Sequence, residues 1–146
     1  MILRTRHTGL VVRDINASIA FYEAMGLSVW KRQVEEGPFI SGVVGVPDVV
    51  IETAKLKASD GTLVELLQYH SHPDSQTFSR AASNKLGCSH IAFTVEDLEA
   101  ACALIVAQGG SVINAPGISP DGNVKVSYCH DLDGILLEMV EEIKAS

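Results

Sequence analysis

Along residues 5–12 apolar and polar positions alternate. His7, Gly9 and Val11 would share one face of an extended segment, with Thr8, Leu10 and Val12 on the other. Residues 88–95 repeat the arrangement, with His90, Ala92 and Thr94 opposite Ile91, Phe93 and Val95. Each pattern predicts a strand whose uniformly apolar face takes a helix, leaving a histidine on the opposite side. The helix follows at once in both places. Asp14 and Asp97 stand as N-caps, and apolar residues then recur at helical spacing: Ile15, Ile19 and Tyr22 in one, Leu98, Ala101 and Ile105 in the other. Gly26 and Gly109 end these helices. Further strands are predicted near 27–34, 49–56, 62–69, 111–114, 123–130 and 134–141. The dipeptides Asp60-Gly61 and Asp133-Gly134 turn the chain before the last strand of each set.

The chain therefore states one phrase twice. A shift of 83 residues places His7 on His90, Val12 on Val95, Asp14 on Asp97 and Gly26 on Gly109. Further along, "DGTLVELL" (60–67) matches "DGILLEMV" (133–140) at a shift of 73, superposing Glu65 on Glu138, so the first copy carries ten more residues between its matched blocks. Each copy reads as βαβββ. The predicted organisation is a single α+β domain of two modules, 1–69 and 88–146, joined by the polar linker 70–87, HSHPDSQTFSRAASNKLG. The extra residues lie around 34–48, VEEGPFISGVVGVPD, too apolar for a solvated loop. They predict a short core helix or a flap over a binding site.

Composition narrows the function classes. The 146 residues are 47% hydrophobic, enough for a core. A formal charge of −7 gives no general attraction to nucleic acid or an anionic bilayer. No apolar run reaches the roughly 18 residues of a membrane span, and MILRTRHTGL lacks a signal-peptide layout, so the cytoplasm is the expected location. Cys88, Cys102 and Cys129 form no CxxC pair and read as reduced thiols, mostly buried.

The chemistry-bearing residues sit at equivalent places in the two copies. Glu65 alternates with Val64 and Leu66, and Glu138 with Leu137 and Met139. An ionised carboxylate in such surroundings is costly without charge or hydrogen-bond compensation. If two like units pack about a two-fold axis, His7, Glu65, His90 and Glu138 converge as two pairs, and a divalent cation would accept both imidazoles and neutralise both carboxylates. A competing metal candidate is "YHSHPD", with His70, His72 and Asp74. His130, at the end of "VSYCH", is a candidate proton carrier or an ordinary strand-end histidine.

On "HTGLVVRDINASIAFYEAMGL", "LVELLQY", "SHIAFTVEDLEAACALIVAQGG" and "DLDGILLEMVEE", the chain resembles the vicinal oxygen chelate superfamily: glyoxalase I, bleomycin resistance proteins, extradiol dioxygenases and methylmalonyl-CoA epimerases. The resemblance implies a curved eight-stranded mixed sheet around a metal-binding cavity, with helices on the outer face. It implies the ligands His7, Glu65, His90 and Glu138, and a homodimer. Similar glyoxalase I enzymes hold glutathione with Arg and Asn four residues after the first and second ligands. Here those places are Val11 and Tyr69, which removes the guanidinium and amide anchors on which glutathione as the carrier would depend. The epimerases usually have Gln at the second ligand, where this chain has Glu65.

Two imidazoles and two carboxylates leave two positions of an octahedral ion open to substrate oxygens, and such an ion acts as a Lewis acid on a carbonyl. Glu138 is the first candidate for general base, with Glu65 on the other side. The expected class is a lyase, isomerase or epimerase moving a proton beside a carbonyl through a metal-stabilised enolate. Ni, Co, Mn, Zn and Fe are all candidate ions. The rivals are an iron-dependent extradiol-type dioxygenase, disfavoured because four protein ligands and a chelating catechol leave no place for oxygen, a non-catalytic bleomycin-resistance-like binding protein, and a thiol transferase acting on an antibiotic. A small-molecule substrate is expected; Trp30, Phe39 and Tyr69, with Phe78 as a further aromatic, either line an apolar pocket for it or fill core. Arg4, Arg6, Lys31 and Arg32 form either a basic edge for an anionic group or solvated charge.

Overall fold

The computed structural model describes residues 1–75 and 80–143. The chain folds as two compact units, Met1–Gln76 and Thr77–Ser146. In the first, β1 (Thr8–Val11) leads into α1 (Ile15–Ala24), β2 (Ser28–Glu36), α2 (Pro38–Val44), β3 (Val50–Lys57) and β4 (Leu63–Tyr69). Its sheet runs β1-β4-β3-β2, with β1 parallel to β4 and the other pairs antiparallel. In the second, β5 (Ile91–Val95) leads into α3 (Leu98–Ala107), β6 (Ser111–Val112), β7 (Gly117–Ile118), β8 (Val124–His130) and β9 (Leu136–Glu142). That sheet runs β5-β9-β8-β6, again with one parallel pair, β5 with β9.

The alternation works as the sequence predicts. Leu10, Ala54, Leu56, Val64 and Leu66 turn to the α1 side and are buried with Ile15, Ile19 and Tyr22. In the second unit Leu137, Met139 and Cys129 are buried with Leu98, Ala101, Cys102 and Ile105. Each fully buried Leu or Ile contributes about 1.5–3 kcal/mol.

Both helices start alike. The Asp14 carboxylate accepts from Asn16 N and Ala17 N, and that of Asp97 from Ala100 N. A second acceptor reaches each helix from the last strand of its unit: Gln68 Oε1 takes the Ile15 N–H at 2.8 Å, and Glu141 Oε2 takes the Leu98 N–H at 2.8 Å. Gln68 and Glu141 each stand three residues beyond the glutamates Glu65 and Glu138, so one strand fixes the helix on one face and offers a carboxylate on the other.

Four expectations change. The described strands number nine in two sheets, not eight. The added strand is β7, which pairs with β8 through Gly117↔Val126 and Ile118↔Lys125. β6 stops at Val112 because Asn114 meets β8 with its side chain: Asn114 Oδ1 accepts from Tyr128 N at 2.8 Å, and Pro116 has no N–H to continue a ladder. The opening strands begin at Thr8 and Ile91 rather than at 5 and 88, since their partners upstream of Leu63 and Leu136 belong to the Asp-Gly turns. Residues 38–44 are helical, but none is buried, and Phe39 and Val43 are 80% and 65% exposed, so α2 is not a core helix.

Candidate functional site

His7 immediately precedes β1, and its Nε2 lies 2.9 Å from Oε2 of Glu65 on the adjacent parallel strand β4. Glu65 is 8% exposed. Its other oxygen, Oε1, meets Lys55 Nζ at 2.6 Å; Lys55 stands directly opposite on β3. His7 Nδ1 is buried and has no hydrogen-bond partner among the described residues. On the same face of β1 Leu67 packs close against Gly9, where an added Cβ would come within 3.3 Å of Leu67 Cδ1.

The second unit repeats the pair. His90 Nε2 lies 2.9 Å from Glu138 Oε2. Where Lys55 stands in the first unit, the second has Tyr128, directly opposite Glu138 on β8 and edge-on to the His90 ring with centroids 5.2 Å apart. Burial pushes the Tyr128 hydroxyl above its ordinary pKa, and the nearby Glu138 carboxylate adds to this. Each expected His–Glu pair thus forms within its own unit.

The hydrogen bonding around His90 states what the pair can hold. Ser89 Oγ donates to Ser83 O at 2.7 Å, so toward His90 Nδ1, 3.0 Å away, it accepts. With the proton on Nδ1, a neutral imidazole turns its Nε2 lone pair to a carboxylate oxygen. Two lone pairs across 2.9 Å require a proton or a cation between them. Two donors bound about 2.1 Å from an octahedral ion at right angles lie about 3.0 Å apart, close to what both units show. The donor set, imidazole nitrogen with carboxylate oxygen, suits Zn, Fe, Co, Ni or Mn. These residues fit a divalent ion.

The other candidates are otherwise engaged. His70 Nε2 lies 2.9 Å from Glu52 Oε2, and His72 Nδ1 lies 2.8 Å from Ser71 Oγ, so "YHSHPD" does not present its side chains as a group. His130 is buried and donates from Nε2 to Ala81 O at 2.9 Å, tying the connector to β8. Arg32 belongs to the α1 side, bonded to Glu52 and to Asn16 Oδ1. Arg4, Arg6 and Lys31 are exposed. Trp30 is 57% exposed at a bulge in β2, with Lys57 Nζ 5.3 Å from its ring centroid. Tyr69 shares the Glu65 face of β4, and Phe39 is exposed on α2. Phe78 lies outside the described residues.

Away from these pairs, oxygens of Asp97, Glu99 and Glu141 lie within 4.8 Å of one another, and Lys125 Nζ sits 3.0–3.1 Å from Glu99 and Glu141. The Leu98 N–H and Lys125 hold the Glu141 carboxyl below its ordinary pKa. Glu52 is likewise lowered, chiefly by His70 and then by Arg32. The partners Lys55, Tyr128 and Ser89 were not foreseen from the sequence. The signal for two of them was available, because Lys55 and Tyr128 superpose at the same 73-residue shift as Glu65 and Glu138.

The family model of the Glyoxalase/Bleomycin resistance protein/Dioxygenase superfamily matches residues 6–129. The chain belongs to this superfamily. Within it, the chain is 31% identical over 144 residues to a probable lactoylglutathione lyase of Vibrio cholerae, covering 97% of this chain and 93% of that protein. It is 28% identical over 142 residues to a lactoylglutathione lyase of Neisseria meningitidis, covering 96% and 91%. A glyoxalase family protein of Bacillus cereus, known from a crystal structure, superposes with a TM-score of 0.90 at 26% identity, over 99% of this chain and 97% of that one. No helix among the described residues is long and apolar enough to cross a membrane.

Proposed function

We propose that this glyoxalase-family chain is a divalent-metal-dependent enzyme of lyase or isomerase type that moves a proton beside a carbonyl of a small oxygenated substrate. The carrying observation is the His–Glu pair at 2.9 Å in both units, with Ser89 Oγ 3.0 Å from Nδ1 of His90. His7, Glu65, His90 and Glu138 would hold one ion, supplied by one chain or shared across a homodimer. Modules 1–69 and 88–146, joined by 70–87, would act as a single domain in a reducing cytoplasm, consistent with the free thiols Cys88, Cys102 and Cys129.

When bound, the ion polarises a carbonyl oxygen. The chain's own residues then do the proton work. Glu138 accepts the proton at a carboxylate oxygen, and Glu65 flanks the opposite side. Tyr69, on the Glu65 face, with Trp30 and Phe39, would shape the substrate's surroundings. The lactoylglutathione lyases among the relatives support the lyase class. Val11, 54% exposed, and Tyr69 offer no guanidinium or amide, so the carrier is read as something other than glutathione.

The test is titration calorimetry of metal-stripped protein with Ni²⁺, Co²⁺, Mn²⁺, Zn²⁺ and Fe²⁺. Metal-loaded protein is then given hemithioacetals of methylglyoxal with glutathione and with other small thiols, and α-proton exchange in D₂O is followed by NMR. Micromolar or tighter binding that His7→Ala and His90→Ala abolish is expected, together with exchange that does not require glutathione. Weak binding of all five ions would overturn the metal reading. Oxygen uptake with catechols by the iron-loaded protein would overturn the lyase reading.

A further inference from the structure

The two carboxylates occupy equivalent places and have unlike neighbours. Glu65 presents Oε2 to His7 while Oε1 is held by Lys55 Nζ at 2.6 Å, with the lysine side chain 21% and the carboxylate 11% exposed. Glu138 presents Oε2 to His90, and within its unit no Lys or Arg among the described residues forms an ion pair with it. Its cross-strand neighbour, Tyr128, is an uncharged phenol. The Glu138 side chain is also more open, 23% against 11% exposed.

A carboxylate gripped through one oxygen by an ammonium has one oxygen left to give. It can ligate an ion through that atom only, and detaching from the ion would leave it half-buried between His7 and Lys55 with no freedom to swing. Glu138 has no such anchor. Its Oε2 faces His90 and its Oε1 has no ion-pair partner among the described residues of its unit, so detachment costs it no second ion pair.

We propose that Lys55 is a positioning residue that divides the work between the two glutamates: it fixes Glu65 as a one-oxygen ligand and leaves Glu138 as the carboxylate free to move and carry the proton. This rests on the metal reading above and adds an asymmetry that the ligand set alone does not contain. It also makes Lys55 a brake on metal affinity, since the lysine competes with the ion for Glu65 and places a positive charge one carboxylate away. The equivalent position in the second unit's sheet holds an uncharged residue, Tyr128.

The experiment is calorimetric titration of metal-stripped wild type, Lys55→Met, Lys55→Arg and Lys55→Tyr with Mn²⁺ and Zn²⁺, with melting temperatures in parallel. Lys55→Met and Lys55→Tyr are expected to bind the ion about tenfold more tightly than wild type, by relief of repulsion and competition, and Lys55→Arg to resemble wild type. A purely structural lysine would lower the melting temperature and leave affinity unchanged or weaker, which would overturn the proposal. Should Lys55→Met not fold, Lys55→Tyr carries the same comparison with the side chain the fold already uses at Tyr128. If wild type binds and the variants bind equally, only this inference falls. If wild type binds neither ion, the metal reading falls and takes this inference with it.

Discussion

Replacing Gln68 by Glu copies into the first unit the residue that caps α3 in the second. Gln68 Oε1 and Glu141 Oε2 do the same work, each accepting the first helical N–H at 2.8 Å. A carboxylate at a helix N-terminus gains about 0.3–1 kcal/mol from the helix dipole. Gln68, however, stands directly opposite Glu52, whereas Glu141 stands directly opposite Lys125. Like charges facing across a ladder cost about 0.2–1 kcal/mol, so Gln68→Glu alone is expected to be neutral or slightly destabilising. Glu52→Lys alone loses the contacts to Arg32 at 2.6 Å and His70 at 2.9 Å and sets a cation beside Arg32, a loss of about 1 kcal/mol after solvent screening. Made together, the two changes rebuild the second unit's arrangement. The repulsions become one attraction, and the expected coupling is about 1 kcal/mol, some 2–4 °C in melting temperature for a chain of this size. Urea denaturation of the four proteins at pH 7 and low salt measures it. Additivity within about 0.3 kcal/mol would refute the reasoning, because the two positions would then not sense each other's charge.

Four further outcomes are expected. Glu141 has its folded pKa lowered from 4.5 by the Leu98 N–H and by Lys125, so its contribution is present above the ordinary carboxylate range and is lost as pH falls through the lowered value. The stability difference between wild type and Glu141→Gln should therefore shrink below about pH 4.5 in acid denaturation, and a constant gap would refute this. Gly110→Ala should cost about 1–3 kcal/mol in chemical denaturation, because the new Cβ would lie 2.6 Å from His130 O and 2.8 Å from Ile105 Cγ2, and the carbonyl cannot move aside cheaply. Thiol labelling of the native protein should modify exposed Cys88 first and spare buried Cys102 and Cys129 until denaturant is added, since burial pushes the Cys129 thiol up to about 11; equal rates at all three would contradict the packing. Ser89→Ala should weaken divalent-ion binding by about tenfold, because Ser89 sets which nitrogen of His90 is bare; an unchanged isotherm would show that the serine does not orient the ring.

The parts of this fold that were legible in the sequence are those set by local periodicity. Alternation over "HTGLVV" and "HIAFTV" places the histidines opposite the helix, and Asp14 and Asp97 cap where their side chains allow. What stayed hidden depends on which residues face each other across strands. Lys55 becomes the partner of Glu65 only through the β3–β4 register, and Ser89 matters only because its hydroxyl proton goes to Ser83 O. β7 gives no readable signal because two residues, Gly117 and Ile118, carry no periodicity, and β6 is cut short by a hydrogen bond from the Tyr128 N–H to the Asn114 side chain that no strand propensity encodes. The apolar stretch Phe39 to Val44 reads as a core helix or a flap, and only the first is excluded, because hydrophobicity alone does not say what covers a stretch.

On the helix-facing side the copies have drifted in compensated pairs. Glu52 opposite Gln68 has become Lys125 opposite Glu141, and Asn16, which meets Arg32, has become Glu99, which meets Lys125. On the other side Lys55 has become Tyr128. A sheet that tolerates these exchanges of sign and size does not need a particular charged residue at any one of them in order to fold. It has nevertheless kept His7 with Glu65 and His90 with Glu138, each pair at the same 2.9 Å, although a half-buried imidazole and carboxylate are costlier to maintain than the apolar residues on either side of them. Folding does not explain that sameness. A demand made equally on both pairs would, and it is the demand that the proposed divalent ion would make on two nitrogens and two oxygens.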